Sequence, residues 1–238
     1  MVGPIRPSFV LFGSSIVQIS YYFQGWGATL NTLYSRKADI TLRGYAGWNS
    51  KMALNIYEKV FPKDAEIQPD LVILYFGGND SCHPDFPNSS HVPLEEYIEN
   101  MRKIILHIKS LSEKTRLIML SAPPVNEEQL IQHYGDNRGR DNETCHIYSE
   151  AGVKLGQELG VKVIDFWSAL QERPDWLTTV FWDGMHLAKE GSDILVKKIL
   201  KILKEADWEP SLNWEKMPDE FSDIGPDVMN FDLLKEHK

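Results

Sequence analysis

The chain is short of several things, and each shortage closes off a class of protein. Its 238 residues include only two cysteines, Cys82 and Cys145. That excludes a disulfide-stapled scaffold, and two free thiols in a reducing compartment is a plainer reading than one bridge. No apolar run approaches the roughly 20 residues that span a bilayer. Residues 1–7 lack the charged start, apolar stretch and small-residue cleavage site of a secretory signal. The expectation is a cytoplasmic protein without membrane insertion. Positive charge is scarce too, with 25 Lys and Arg against 34 Asp and Glu and a formal net charge of -9. That balance argues against a nucleic-acid groove, an anionic membrane surface and a polyanionic substrate. There is no internal repeat, no low-complexity tract, no G-x-G-x-x-G or Walker-type loop and no cluster at metal-ligand spacing. Neither a metal nor a cofactor is expected.

What is present is an ordinary globular composition, 42% hydrophobic and 25% charged, in a length sufficient for one domain with a full core. Short apolar runs at 8–12, 38–44, 71–76, 116–120 and 161–166 read as strands. Helical spacing falls between them: from Trp26 to Arg36, from a cap at Asn49 or Ser50 to Val60, and through Leu94, Tyr97, Met101, Ile104, Ile105 and Ile108. Two more helices follow, from Asn142 to Leu159 and through Ile194, Leu195, Ile199, Leu200 and Leu203. Residues 125–140 are polar and read either as a mobile flap or as plain surface loop. The stretch 167–181 looks irregular, with a short helical piece. From Trp208 the composition shifts to proline, acidic residues and isolated aromatics, Phe231 among them. This predicts an extended tail, 208–238, packed on a domain of residues 1–207.

Five strands alternating with helices predict an α/β fold, a three-layer α/β/α sandwich with a five-stranded parallel sheet of flavodoxin-like type. The loops leaving the strands then open on one edge. That places Ser15, Gly47 and Asn79 near one another. The first strand stops at Gly13 and is followed by Ser14 and Ser15, a hydroxyl held up on a rigid support.

Attack by a serine on an ester carbonyl needs a base, an orienter for that base and donors for the developing oxyanion. Seven histidines compete for the base. His107 is expected exposed on a helix, His237 lies in the tail, and His91, His133 and His146 fall in polar loops or at a helix start. His83 is a lesser candidate through its closeness to Asn79. His186 stands on the right edge with Asp183 three residues before it, a spacing that lets the carboxylate reach the imidazole Nδ1. The backbone N–H of Ser15 and of Gly47 and the side chain of Asn79 are candidate oxyanion donors. Asp80 reads as an organiser of its own loop.

Four blocks in order, Phe12-Gly13-Ser14-Ser15, Arg43-Gly44-Tyr45-Ala46-Gly47, Gly77-Gly78-Asn79-Asp80 and Asp183-Gly184-Met185-His186, resemble those of the SGNH or GDSL esterase/lipase superfamily. The wording is most similar to its isoamyl-acetate-hydrolysing esterase-like branch, plant members included. The resemblance implies Ser15 as nucleophile, His186 as base, Asp183 as orienting acid, and Ser15, Gly47 and Asn79 as oxyanion donors. One departure is Ser14, where the family's first block usually has an aspartate that is not a triad member.

Trp48, Phe181 and Trp182 border the site in sequence and read either as walls of an apolar substrate pocket or as core. The leading expectation is a serine esterase acting on short-chain carboxylic esters, a small-molecule substrate. An acyltransferase or carbohydrate O-deacetylase with the same triad is a rival, as is a non-catalytic flavodoxin-like binding protein.

Overall fold

Leu71–Tyr75 (β3) is buried at all five positions, because it sits mid-sheet with helices over both faces. Its alternating side chains feed two separate cores. Leu71, Ile73 and Tyr75 join one cluster with Phe9, Leu11, Trp26, Leu195 and Ile199. Val72 and Leu74 join the other with Phe12, Met101, Ile104, Ile105 and Leu155. The period of two that divides strand residues between faces thus divides the core as well.

The computed structural model describes residues 3–22 and 24–224. The sheet has the order β2-β1-β3-β4-β5, and all four pairings are parallel. The other strands are Ser8–Gly13 (β1), Asp39–Gly44 (β2), Arg116–Leu120 (β4) and Lys162–Ile164 (β5). Register is direct: Gly13 at the end of β1 lies opposite Gly44 of β2 on one side and Tyr75 of β3 on the other. The chain moves one way from β1 to β2 and the opposite way to β3, so the topological switch lies at the carboxyl ends of β1 and β3, where open α/β sheets bind ligands.

The helices are Ser15–Gln18 (α1), Trp26–Leu33 (α2), Ser50–Leu54 (α3), Tyr57–Val60 (α4), Leu94–Lys109 (α5), Glu127–Tyr134 (α6), Asn142–Glu158 (α7), Phe166–Gln171 (α8), Trp176–Thr179 (α9) and Lys189–Glu205 (α10). Three regions revise the sequence reading. The single helix expected up to Val60 is two, broken at Asn55, a poor helix former whose N–H closes the last turn on Met52 O at 3.1 Å. Residues 125–140 are not simply loop. Asn126 caps α6 by accepting from Gln129 N at 3.1 Å, Leu130 is buried, and Gly135 ends the helix at φ 85. The region 167–181 carries α9 and most of α8 rather than one helical piece.

Two side chains are also relocated. His107 is buried rather than exposed: its Nε2 lies 2.7 Å from Phe61 O, and the Tyr57 ring packs edge-on at 4.7 Å. The α4 turn covers that face of α5. Cys145 lies within α7 rather than in a loop, and Cys82 and Cys145 are both buried free thiols. No helix among the described residues is long and apolar enough to cross a membrane.

Beyond α10 the chain runs back over the end of α2. The Tyr34 hydroxyl donates to Leu212 O at 2.7 Å, Lys37 Nζ donates to Met217 O at 2.8 Å, and Leu212 and Met217 are buried. Phe231 and the rest of 225–238 lie outside the described residues.

Candidate active site

Residues far apart in sequence meet at the carboxyl edge because β1 and the loop before α10 both end there. Ser14 is buried at the start of α1, beside the buried phenol of Tyr75. Ser15 opens the α1 turn, so its backbone N–H belongs to the first turn, where donors have no intrahelical acceptor.

Ser15 Oγ lies 2.9 Å from His186 Nε2, and His186 Nδ1 lies 2.5 Å from Asp183 Oδ2. The loop that delivers this pair turns at Gly184, φ 98, where a Cβ would come within 2.6 Å of Asn126 O. Only glycine fits that bend. Asp183 is fully buried and accepts four hydrogen bonds. Met185 N at 3.0 Å and His186 N at 2.7 Å reach Oδ1; His186 Nδ1 and the Tyr134 hydroxyl, at 2.7 Å, reach Oδ2. Burial opposes its charge, but the hydrogen bonds and charge of His186, with help from Tyr134, hold the carboxyl down to about 2. An acceptor that stays ionised fixes the imidazole tautomer, with Nδ1 protonated and Nε2 facing the serine.

At the other end, Gly47 sits at φ 80 past β2. The N–H groups on either side of it are used, Ala46 N on Gln18 Oε1 at 2.7 Å and Trp48 N on Tyr45 O at 3.2 Å. The Gly47 N–H has no acceptor among the described residues. Asn79 is buried, its Nδ2 donating to Trp48 O at 2.7 Å and its Oδ1 accepting from Arg140 Nη2 at 2.5 Å. Asp80 turns inward: one carboxylate oxygen accepts from Ser50 N at 2.9 Å, the other has no hydrogen-bond partner among the described residues, and burial pushes the carboxyl up to about 6.

Ser15, Asn79 and His186 share a cavity of about 20 Å³ whose walls include Ile16, Tyr75, Val125 and Met185. Asn79 and Arg140 also belong to a neighbouring groove of about 470 Å³, with Gly47, Phe86, Ser89, Ser90 and Arg138.

Of the three aromatics that read either as pocket wall or as core, none lines the cavity of Ser15 and His186. Phe181 is core: it is buried, packs edge-on against Trp176 and pairs in a short antiparallel bridge with Leu187. Trp48 stacks on Tyr45 at 4.5 Å and contributes its carbonyl, not its ring. Trp182, 44% exposed, lies flat against the His186 ring at 5.6 Å. It covers the imidazole and does not line the cavity. His83, the lesser candidate, pairs with Asp141 at 2.5 Å instead.

Two participants escape sequence reasoning, Tyr134 on Asp183 and Arg140 on Asn79. The start and stop of the helix that carries Tyr134 are marked by Asn126, Glu127, Glu128 and Gly135, and Arg140 lies in the loop beyond it. The contacts themselves are not marked.

Residues 11–194 match the model of the GDSL-like lipase/acylhydrolase family. The GDSL esterase/lipase WDL1 of Oryza sativa subsp. japonica is 58% identical over 228 residues, covering 94% of this chain and 88% of its own. An isoamyl acetate-hydrolyzing esterase 1 homolog of Bos taurus is 31% identical over 206 residues, 84% of this chain and 83% of its own. Among solved structures, an acetylxylan esterase from Geobacillus stearothermophilus shares the fold with a TM-score of 0.65 at 22% identity, over 82% of this chain and 93% of that one. By the span of the family match and these identities, the chain belongs to the GDSL-like lipase/acylhydrolase family and is a carboxylic ester hydrolase.

Proposed function

We propose that the protein hydrolyses short-chain carboxylic esters through an acyl-enzyme on Ser15. In this reading His186 Nε2 takes the Ser15 proton as Oγ attacks the acyl carbonyl. Asp183 holds the imidazole and stabilises the imidazolium that forms. The N–H groups of Ser15 and Gly47 and the Asn79 amide receive the carbonyl oxygen as it becomes negative. His186 then returns the proton to the departing alcohol, and a water repeats the sequence to release the acid. The observation that carries the reading is the unbroken line of contacts, 2.9 Å from Ser15 Oγ to His186 Nε2 and 2.5 Å from Nδ1 to Asp183.

The cavity of about 20 Å³ beside Ser15 supports a small acyl group, since a single water already needs roughly 10–15 Å³ on this measure. The groove of about 470 Å³ next to it supports a larger, polar alcohol part. That favours, as a second reading, an O-deacetylase acting on a hydroxyl-rich alcohol such as a carbohydrate. The two buried free thiols support a reducing, cytoplasmic setting.

Purified protein with p-nitrophenyl acetate and a fluorophosphonate probe provides the test. Wild type should turn over the ester and gain one adduct on Ser15. Ser15→Ala should lose the adduct and fall by about 10⁴-fold or more in kcat. Wild-type turnover by Ser15→Ala would overturn the assignment. Comparing acetyl with octanoyl esters tests the acyl size, and acetylated sugars against acetylated simple alcohols tests the groove.

A further inference from the structure

The structure assigns Arg140 a part in the reaction: it is a positioning residue that fixes and polarises the Asn79 amide. The inference rests on Asn79 being an oxyanion donor, as read above.

A side-chain amide has two nearly isosteric ends, and only the nitrogen is useful to a negative oxygen. Two partners of opposite type settle which end points where. A guanidinium donates and never accepts, so Arg140 Nη2 selects Oδ1, at 2.5 Å. The Trp48 carbonyl accepts and never donates, so it selects Nδ2, at 2.7 Å. One Nδ2–H remains for a substrate oxygen. Turning the amide over would set oxygen against the Trp48 carbonyl and NH₂ against a cation. A positive charge on Oδ1 also draws electron density through the amide and makes the remaining N–H a stronger donor.

Arg140 is itself held in place. Its Nη1 donates to Arg138 O at 2.9 Å and its backbone N–H to Asn137 O at 3.0 Å. Next to it, Asp141 caps α7 through Thr144 N at 2.7 Å and pairs with His83 Nε2 at 2.5 Å. The His83 N–H closes the clamp on Gly139 O at 2.7 Å. The loop that carries Arg140 is therefore fastened to the loop that carries Asn79. Among the described residues no carboxylate lies within ion-pair distance of Arg140, and its side chain lines the cavity of Ser15 and His186. Its charge is not spent on a surface ion pair.

The test is a double-mutant cycle on the full chain with p-nitrophenyl acetate, using Arg140→Met, Asn79→Ala and the pair. Arg140→Met should lower kcat by roughly 10–100-fold with KM within about 3-fold, short of the 10²–10³ typical of losing an oxyanion donor outright. In the Asn79→Ala background the same change should cost no more than about 3-fold, because its only route of action is gone. Arg140→Lys, the milder variant should Arg140→Met not fold, keeps the charge without the fork. It should recover part of the loss while remaining at least about 5-fold below wild type. Wild-type kcat in Arg140→Met or Arg140→Lys, or a loss that multiplies undiminished onto Asn79→Ala, overturns the inference. The parent reading fails by a different result: an active Ser15→Ala, or an Asn79→Ala enzyme of full kcat.

Discussion

At the imidazole end of the site the line from Ser15 to Asp183 is complete, each atom with a partner in the protein. At the opposite end the N–H of Ser15 and of Gly47 have no acceptor among the described residues. In the proposed mechanism the contrast follows from what each end must do. Proton transfer needs its groups in contact before the reaction starts, whereas donors for an oxyanion are useful only if they are reserved for charge that appears later. Damage at the first end should therefore be close to all-or-none, and damage at the second should be graded and confined to kcat.

The largest effect tests the first half of that statement. Asp183→Asn keeps the shape but replaces an oxygen that accepts from His186 Nδ1 and from Tyr134 by an amide that donates. The imidazole then takes the wrong tautomer, and kcat should fall by about 10⁴-fold. Steady-state kinetics within tenfold of wild type would break the comparison. Next comes Asn79→Ala at the other end, with an expected loss of about 10²–10³-fold in kcat and little change in KM. A KM effect alone would move Asn79 from transition-state stabilisation to substrate binding.

How much of this was readable from the residues depends on whether the signal is local. The parallel sheet was, because Leu71–Tyr75 and its neighbours are apolar runs with helices between them. The meeting of Ser15 with His186 was as well. Ser15 follows β1 directly at Gly13, and His186 lies in the loop between β5 and the last helix, turned at Gly184, on the edge where a parallel sheet gathers such connections. Tyr134 and Arg140 had no such mark. They reach Asp183 and Asn79 across 49 and 61 residues, from a segment with a single buried apolar side chain in its helix, Leu130. Phe181 stays open between pocket wall and core for the converse reason. Nearness in sequence to His186 says nothing about which face of its short bridge with Leu187 the ring takes, and the ring takes the core. His107 reads as exposed because nothing in the sequence marks that Tyr57 and the Phe61 carbonyl fold over that face of α5.

Tyr134 allows a finer cut at the imidazole end. Tyr134→Phe removes one of four donors to Asp183 and leaves the contact with His186, so kcat should drop only by about 3–10-fold, a partial loss of support to an ionised group. The sign for stability is also fixed. Asp183 titrates near 2 in the folded chain, against an ordinary carboxyl near 3.9. It therefore stabilises the fold above about pH 4, and that contribution is lost as the pH falls toward 2. Without the phenol the folded value rises toward the ordinary one, so urea unfolding should show the variant's full loss of stability at pH 7 and a smaller loss at pH 3, where wild type has already given up part of the same contribution. Equal losses at both values would mean that the phenol supports the helix and not the carboxylate.

The smallest expected effect on turnover sets a second aspartate against the first. Asp80 is as buried as Asp183 but accepts far less support, with one oxygen left without a hydrogen-bond partner among the described residues, and burial raises its carboxyl to about 6. Here the sign is reversed. Between about pH 4 and 6 the folded chain holds a proton that the unfolded chain has released, so the free energy of unfolding falls as pH rises through that window. The full difference, about two pKa units, corresponds to about 2–3 kcal/mol. Asp80→Asn keeps an acceptor for Ser50 N and has nothing to titrate. Its unfolding free energy should lack this decline, so that the variant gains on wild type from pH 4.5 to 7.5 while kcat stays within about 3-fold. Parallel stability curves for the two proteins would place the Asp80 proton elsewhere and leave the inward-facing carboxylate ionised throughout, tolerated by its hydrogen bonds to the α3 terminus alone.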